Sequence, residues 1–274
     1  MKSSSIFHPQ SSIRKRIGVF DSGLGGLTVV RALREHLPGA DIVYIADTAH
    51  APYGEKTPEQ IRHYSDVLTR YLIAEHQIDA LVVACNTATS AAISHLRETF
   101  PDLVIVGTEP GIKPALSQTR SNQVGILATP ATLAGDKYQE LADRLYNGTE
   151  ITLYEQACPG LVEQIEQGKI DTPETEAMLE GWLAPMRRAG VDTIVLGCTH
   201  YPLAADAIRK VMGAPVTLIE TGNAIAQRLK ALLQIPEGGA SGELLILSTG
   251  WIDHTAVHRI LDDPHFVISS LETP

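Results

Sequence analysis

Two similar α/β lobes with largely parallel sheets, related by a pseudo-twofold and facing each other across a cleft, form the fold class this sequence predicts. Three observations predict it. Short apolar runs rich in Val, Ile and Leu alternate with longer helical patterns, as in β-α units wound around a parallel sheet. The second half of the chain echoes the first. At 274 residues with 44% hydrophobic composition, the chain can bury two cores at about 100 to 200 residues per domain.

In order, the apolar runs place strands at 17–21, 42–46, 80–84, 104–106, 124–128, 151–154, 193–197, 216–219 and 244–247. The runs that lead to Cys85 and Cys198 are four or so residues of continuous apolar character, the mark of a strand covered on both faces. Helices fill the gaps, notably 58–75, 87–99, 173–188 and 223–233, with a further helical pattern at 255–261. The turn Asp21-Ser22-Gly23-Leu24-Gly25-Gly26-Leu27-Thr28 follows the first strand and opens a helix. Its backbone N–H groups and the Ser22 hydroxyl could hold an anion there. It lacks the third glycine of a dinucleotide fingerprint, since Thr28 stands in that place, and no Gly-Lys-Ser/Thr follows for a P-loop.

The repeat is read from three strands. Ile17-Gly18-Val19-Phe20-Asp21-Ser22 aligns with Val124-Gly125-Ile126-Leu127-Ala128-Thr129, 107 residues on. Cys85 aligns with Cys198, and Ile105-Val106-Gly107-Thr108 with Leu218-Ile219-Glu220-Thr221, both 113 residues on. This divides the chain into a flexible extension over 1–16, lobe one over 17–119, lobe two over 120–234, and a C-terminal strand and helix over 235–274, part of which can be counted with lobe one. Within the echo Asp21 faces Ala128 and Asn86 faces Thr199, an asymmetry suited to an asymmetric ligand.

Composition narrows the function. With 22 Lys and Arg against 32 Asp and Glu the net charge is −10, which repels a nucleic-acid backbone. No apolar stretch approaches the roughly 18 residues of a membrane span, and 1–16 lacks the apolar centre of a signal peptide, so the expectation is a cytoplasmic protein. Cys85, Cys158 and Cys198 are too sparse for a disulfide framework and lack metal-ligand spacing, so no metal is expected. Cys85 and Cys198 each end an apolar run, where open α/β sheets carry their chemistry. Each also stands just before a helix, whose dipole favours the thiolate and lowers the thiol pKa. His200, two residues beyond Cys198, and Asp21, near the Cys85 strand end, are candidate proton relays. Cys158, in Ala157-Cys158-Pro159, has no counterpart in the repeat and reads as structural.

Val19-Phe20-Asp21-Ser22-Gly23, Pro52-Tyr53-Gly54-Glu55-Lys56, Ala84-Cys85-Asn86-Thr87-Ala88-Thr89 and Leu196-Gly197-Cys198-Thr199-His200-Tyr201-Pro202 together resemble the glutamate racemases of the aspartate/glutamate racemase superfamily, which supply D-glutamate for bacterial peptidoglycan. The resemblance runs from about Ile17 to Leu233. It implies a two-lobed α/β fold and a cofactor-independent isomerase with Cys85 and Cys198 as acid and base. It also implies substrate contacts at Asp21, Ser22, Tyr53, Gly54, Asn86, Thr87, Thr199 and His200, and an auxiliary carboxylate at Glu166, with Glu163 close enough in sequence to compete for that role. The chain departs from the usual pattern at Glu220-Thr221-Gly222, Thr129-Pro130-Ala131-Thr132 and Glu163. A cell-wall precursor as activator and a homodimer as assembly are further expectations of this kind.

Two rival readings stand beside it. A racemase of aspartate or a hydantoin would use the same two-thiol logic, but such relatives commonly carry Glu after Cys-Thr, where this chain has His200, and lack Pro52-Tyr53-Gly54. A noncatalytic ligand-sensing or protein-binding module on the same scaffold would have no need of both cysteines.

Overall fold

In the computed structural model, residues 14–271 are described apart from 110, 147–149, 214, 236–240 and 264. Most of the expected N-terminal extension therefore lies outside the described residues. The strands are β1 (Arg16–Asp21), β2 (Asp41–Ala46), β3 (Ala80–Val83), β4 (Val104–Gly107), β5 (Gln123–Ala128), β6 (Thr152–Ala157), β7 (Thr193–Gly197), β8 (Thr217–Ile219), β9 (Leu244–Ser248) and β10 (Val267–Ser270). The helices are α1 (Leu27–His36), α2 (Pro58–His76), α3 (Asn86–Thr99), α4 (Ile112–Gln118), α5 (Pro130–Leu133), α6 (Asp136–Tyr146), α7 (Leu161–Glu166), α8 (Pro173–Arg188), α9 (Ala205–Met212), α10 (Gly222–Leu233) and α11 (His254–Leu261).

Two parallel sheets result, one in the order β10-β9-β2-β1-β3-β4 and one in the order β6-β5-β7-β8. The sequence echo is a topological identity: β2-β1-β3-β4 and β6-β5-β7-β8 are the same arrangement, with β1 matching β5 and β3 matching β7. In each sheet the winding reverses between the paired central strands, β1 with β3 and β5 with β7. The carboxyl ends at such a switch point border a crevice left by diverging connections. Asp21 and Ser22, Cys85, Thr129 and Cys198 all stand at those ends.

Central strands with both faces buried explain the continuous apolar runs: β2 and β3 are buried throughout. β6 is an edge strand, half exposed, and its register runs to Ala157, three residues beyond the expected 151–154. β10 was not anticipated. Val267-Ile268-Ser269-Ser270 is short and half polar because only β9 flanks it, so it carries no sustained apolar signal.

The lobes exchange helices. α4 follows β4, yet Ile112 and Ala115 join the core of the second sheet with Val124, Ile126, Val195 and Ile219. α10 follows β8, yet Ile225, Ala226 and Leu229 join the core of the first sheet with Leu27, Val29 and Leu33 of α1. A Cβ on Gly222 would meet the Ala32 methyl at 3.1 Å, so a glycine lets α10 approach α1. Each lobe is thereby sealed by a helix from the other half of the repeat, and β9 and β10 return to extend the first sheet.

Candidate active site

Cys85 caps α3, accepting a hydrogen bond from the Ala88 N–H at 3.4 Å, and its Sγ faces Ser22 Oγ at 3.9 Å. The expected helix N-terminus is present, but the expected low pKa is not. Burial pushes the Cys85 thiol up, the Asp21 carboxylate pushes the same way, and the Ala88 N–H only partly offsets them. Cys198 differs from the expectation in another way. It does not open an α-helix: a bend and a single 3-10 turn at Tyr201–Ala204 intervene before α9. Its polar neighbour is instead His200, with Nδ1 3.9 Å from Sγ.

His200 is 2% exposed and its Nε2 lies 2.8 Å from Glu166 Oε1 at the end of α7. The same nitrogen lies 3.2 Å from the Gly25 N–H, and it cannot both donate to one and accept from the other. The shorter contact with a carboxylate decides for donation to Glu166, which leaves Nδ1 toward Cys198. Burial alone would lower the His200 pKa. The hydrogen bonds to Cys198 and Glu166 and the charge of Asp21 outweigh it, and the value stands well above 6.5. Burial raises Glu166, but the His200 hydrogen bond and charge prevail and bring it below its ordinary value. Of the two candidate glutamates, Glu166 pairs with His200 while Glu163 lines the cleft itself.

The glycine-rich turn does not await an outside anion. The N–H groups of Gly23 and Gly26 donate to Asp21 Oδ2 at 3.2 and 3.0 Å, and that of Leu24 donates to Glu166 Oε1 at 3.4 Å. Protein carboxylates occupy the donors for which a ligand was expected. The glycines follow from the same packing: a Cβ on Gly23 would come within 2.3 Å of Glu166 Oε1, and one on Gly25 within 2.3 Å of His200 Nδ1. Asp21 is fully buried beneath this turn and accepts from the Thr199 hydroxyl at 3.2 Å, bridging the lobes. Burial raises its pKa, opposed by the charge of His200 and the two N–H groups. It acts on Cys85 through its charge, and the group beside that thiol is Ser22.

One cavity between the lobes is lined by Ser22, Tyr53, Gly54, Cys85, Asn86, Thr87, Thr199 and His200 with Cys198. Of the sequence-predicted residues only Asp21 and Glu166 lie outside its lining, both supporting it from behind. The Asn86 carboxamide is 4% exposed, and neither its nitrogen nor its oxygen has a partner among the described residues. Such a group in a cleft wall is placed to meet a ligand.

Sequence reasoning missed Thr129 and Thr132. Thr87 Oγ1 lies 3.0 Å from Thr129 Oγ1 and 3.3 Å from Thr132 Oγ1, a hydroxyl cluster that joins the lobes, and Thr129 lines the cleft. The signal was present, because Thr129 is the repeat partner of Ser22. Cys158 is 2% exposed and also borders the cleft, its thiol pushed up to about 12 by burial and by Cys198. Among the described residues no group of three or more His, Cys, Asp or Glu is placed to hold a metal ion, and no helix is long and apolar enough to cross a membrane.

The sequence profile of the Asp/Glu/Hydantoin racemases matches residues 27–229. The chain is 60% identical over 250 residues, 90% of its length and 94% of the relative's, to a glutamate racemase of Sulfurovum sp.. The chain belongs to this racemase family, among its glutamate racemases. Solved members share the architecture of this isomerase. Glutamate racemase isoform RacE1 from Bacillus anthracis superposes with a TM-score of 0.83 at 30% identity, covering 95% of this chain and 98% of that one. The Escherichia coli glutamate racemase, in complex with L-glutamate and activator UDP-MurNAc-Ala, does so at 0.82 and 31%, covering 94% and 98%.

Proposed function

We propose that this racemase interconverts L- and D-glutamate for the cell wall by passing the Cα proton between Cys85 and Cys198. The carrying observation is their pairing: two thiols at equivalent ends of β3 and β7, on opposite lobes, lining one cleft. Inverting Cα requires a proton to leave one face and another to arrive at the opposite face, which one immobile base cannot do.

The thiolate on one side takes the Cα proton as an S–H bond forms and the C–H bond breaks. The electron pair left on Cα delocalises into the α-carboxylate, and the thiol on the other side delivers its proton and becomes the thiolate. The reverse direction exchanges the roles. A high pKa at Cys85 suits a donor, and the α-ammonium of an arriving amino acid supplies the positive charge that favours a thiolate. Asn86, Thr87, Thr129, Thr199 and Ser22 offer hydrogen bonds to the carboxylates, holding Cα between the sulfurs. His200, held charged by its hydrogen bonds to Cys198 and Glu166, faces the Cys198 sulfur. Asp21 holds Thr199 and the glycine turn. In this reading the thiols suffice, so activity needs no added cofactor. The compartment is the cytoplasm, where reducing conditions keep the three free cysteines as thiols.

Activation by a cell-wall precursor, as in the Escherichia coli relative bound to activator UDP-MurNAc-Ala, is part of the proposal. A second cavity at the lobe junction, lined by Arg97, Lys137 and Arg144 and by Glu109 and Glu140, with Ser90 and Ser94, supports it; Lys137 is paired with Glu140, which leaves the two arginines as its cations toward an anion. Asn86 lines both cavities and would connect them.

The test is racemisation in D₂O from protiated L-glutamate, without added cofactor and with aspartate run in parallel. The D product should carry solvent deuterium at Cα from the first turnovers while recovered L-glutamate stays largely unlabelled. Early D product that keeps its protium would overturn the two-thiol mechanism. Faster turnover of aspartate would overturn the substrate.

A further inference from the structure

We propose that Asp47 is a positioning residue for the Tyr53-Gly54 wall of the cleft, and that through it the C-terminal segment of the chain sets substrate affinity. The inference rests on the cleft being the glutamate site.

Asp47 follows β2 and is 1% exposed. Its backbone N–H donates to the Asp21 carbonyl at 2.9 Å, which anchors it beside the carboxyl end of β1. Three donors converge on its carboxylate. The Tyr53 hydroxyl reaches Oδ2 at 2.5 Å, the Thr249 hydroxyl reaches Oδ1 at 2.7 Å, and His50 Nδ1 lies 3.0 and 3.1 Å from the two oxygens. A carboxylate has lone pairs for all three. An amide has one acceptor oxygen and adds two N–H donors, so it cannot satisfy the same set.

Tyr53 is itself 1% exposed and lines the cleft beside Gly54. With its hydroxyl committed to Asp47, what it presents to a ligand is ring and backbone, held at one height. Burial and the Asp47 charge raise the Tyr53 pKa well above the ordinary phenol value, so the hydroxyl remains a donor. His50 is fixed in turn by stacking on Tyr64, with centroids 4.0 Å apart and planes 18° apart.

Thr249 comes from the far end of the chain, just past β9. Its hydroxyl accepts from the Ala49 N–H at 3.1 Å and its own N–H donates to the Ala46 carbonyl at 3.1 Å, so it is clamped to the loop that leads into Pro52-Tyr53-Gly54. Thr249, His50 and Asp47 border a separate cavity with Tyr64, Leu68 and Leu271 that shares no lining residue with the cleft. A change at Thr249 therefore reaches the cleft without touching its lining, through Asp47 and Tyr53 and through the Ala49 backbone that leads into Pro52-Tyr53-Gly54.

The test is steady-state kinetics of the full chain with Thr249→Val and Thr249→Ser in both reaction directions, alongside thermal melting. Thr249→Val removes the donor to Asp47 and the acceptor of the Ala49 N–H at nearly constant shape and should raise KM for glutamate about three- to tenfold with kcat within about twofold, the signature of weakened binding shared by ground and transition states. Thr249→Ser restores the hydroxyl and should bring KM back to within about twofold of the parent. Tyr53→Phe, which deletes the other donor, should raise KM in the same way and serves if Thr249→Val does not fold. An unchanged KM in these variants, or a Ser variant as impaired as Val, would overturn the proposal. The two-thiol reading is judged separately, by the isotope pattern of the unmodified enzyme.

Discussion

His200 of the second lobe stands 2.8 Å from Glu166, and the backbone of the first lobe's glycine turn lies against both side chains. The pair forms within the second lobe and the first lobe's turn closes over it. Glu166 is lowered and His200 raised, so both are charged across the neutral range.

Glu166→Gln should therefore destabilise the protein by about 1 to 2 kcal/mol near neutral pH, toward the low end for charged hydrogen bonds because the Glu166 side chain keeps 31% exposure. The Glu166 share is present above its unfolded pKa and is lost as pH falls through the depressed folded value. The His200 share is present below its unfolded pKa and is lost as pH rises through the raised folded value. Melting temperatures of the two proteins should differ most between about pH 5 and 7 and converge toward both extremes. A constant gap from acid to alkali would contradict the pairing.

Gly25→Ala places a methyl 2.3 Å from His200 Nδ1 and 2.6 Å from the neighbouring ring carbon. The imidazole must rotate or the turn must move, at a cost of about 1 to 3 kcal/mol. Turnover should fall at least tenfold, because displacement of this size at a reacting centre is expensive. Kinetics and a melting curve on the same preparation check both effects.

Cys85→Ala and Cys198→Ala should each leave less than about one percent of the parent turnover with the fold intact by circular dichroism, the loss expected for a positioned acid or base. Cys158→Ser should keep most of the activity even though Cys158 borders the cleft. A folded but inactive Cys158→Ser would assign that thiol to the site.

With no substrate bound, burial and the Asp21 charge hold Cys85 protonated, and burial and Cys198 hold Cys158 so up to about 12. Alkylation of either by iodoacetamide, followed by peptide mass spectrometry, should remain slow and show no inflection below about pH 10, since the thiolate is the reactive form. An inflection near pH 7 at Cys85 would show that the helix N-terminus outweighs burial there.

Much of this architecture was legible locally. Continuous apolar runs marked the strands because parallel strands are covered on both faces, and the repeat of Ser22 with Thr129 and Cys85 with Cys198 pointed to two lobes with matched strand ends. The half-polar β10 was missed because an edge strand carries half the signal. The glycine turn was misread because its N–H groups are satisfied by Asp21 and by Glu166, and Glu166 lies 142 residues from Leu24.

The sequence by itself determined nine of the ten strands described, their order, the paired thiols and the family, since those rest on short-range pattern and residue chemistry. Only the tertiary structure decided that α4 and α10 each seal the other lobe, that His200 and Glu166 join beneath the glycine turn, and that Thr249 reaches Tyr53 through Asp47. The physical reason is range. A hydrogen bond between residues 202 positions apart, such as Thr249 to Asp47, leaves no periodicity in the chain, and neither burial of a thiol nor its opposing charges exist until the lobes close around it.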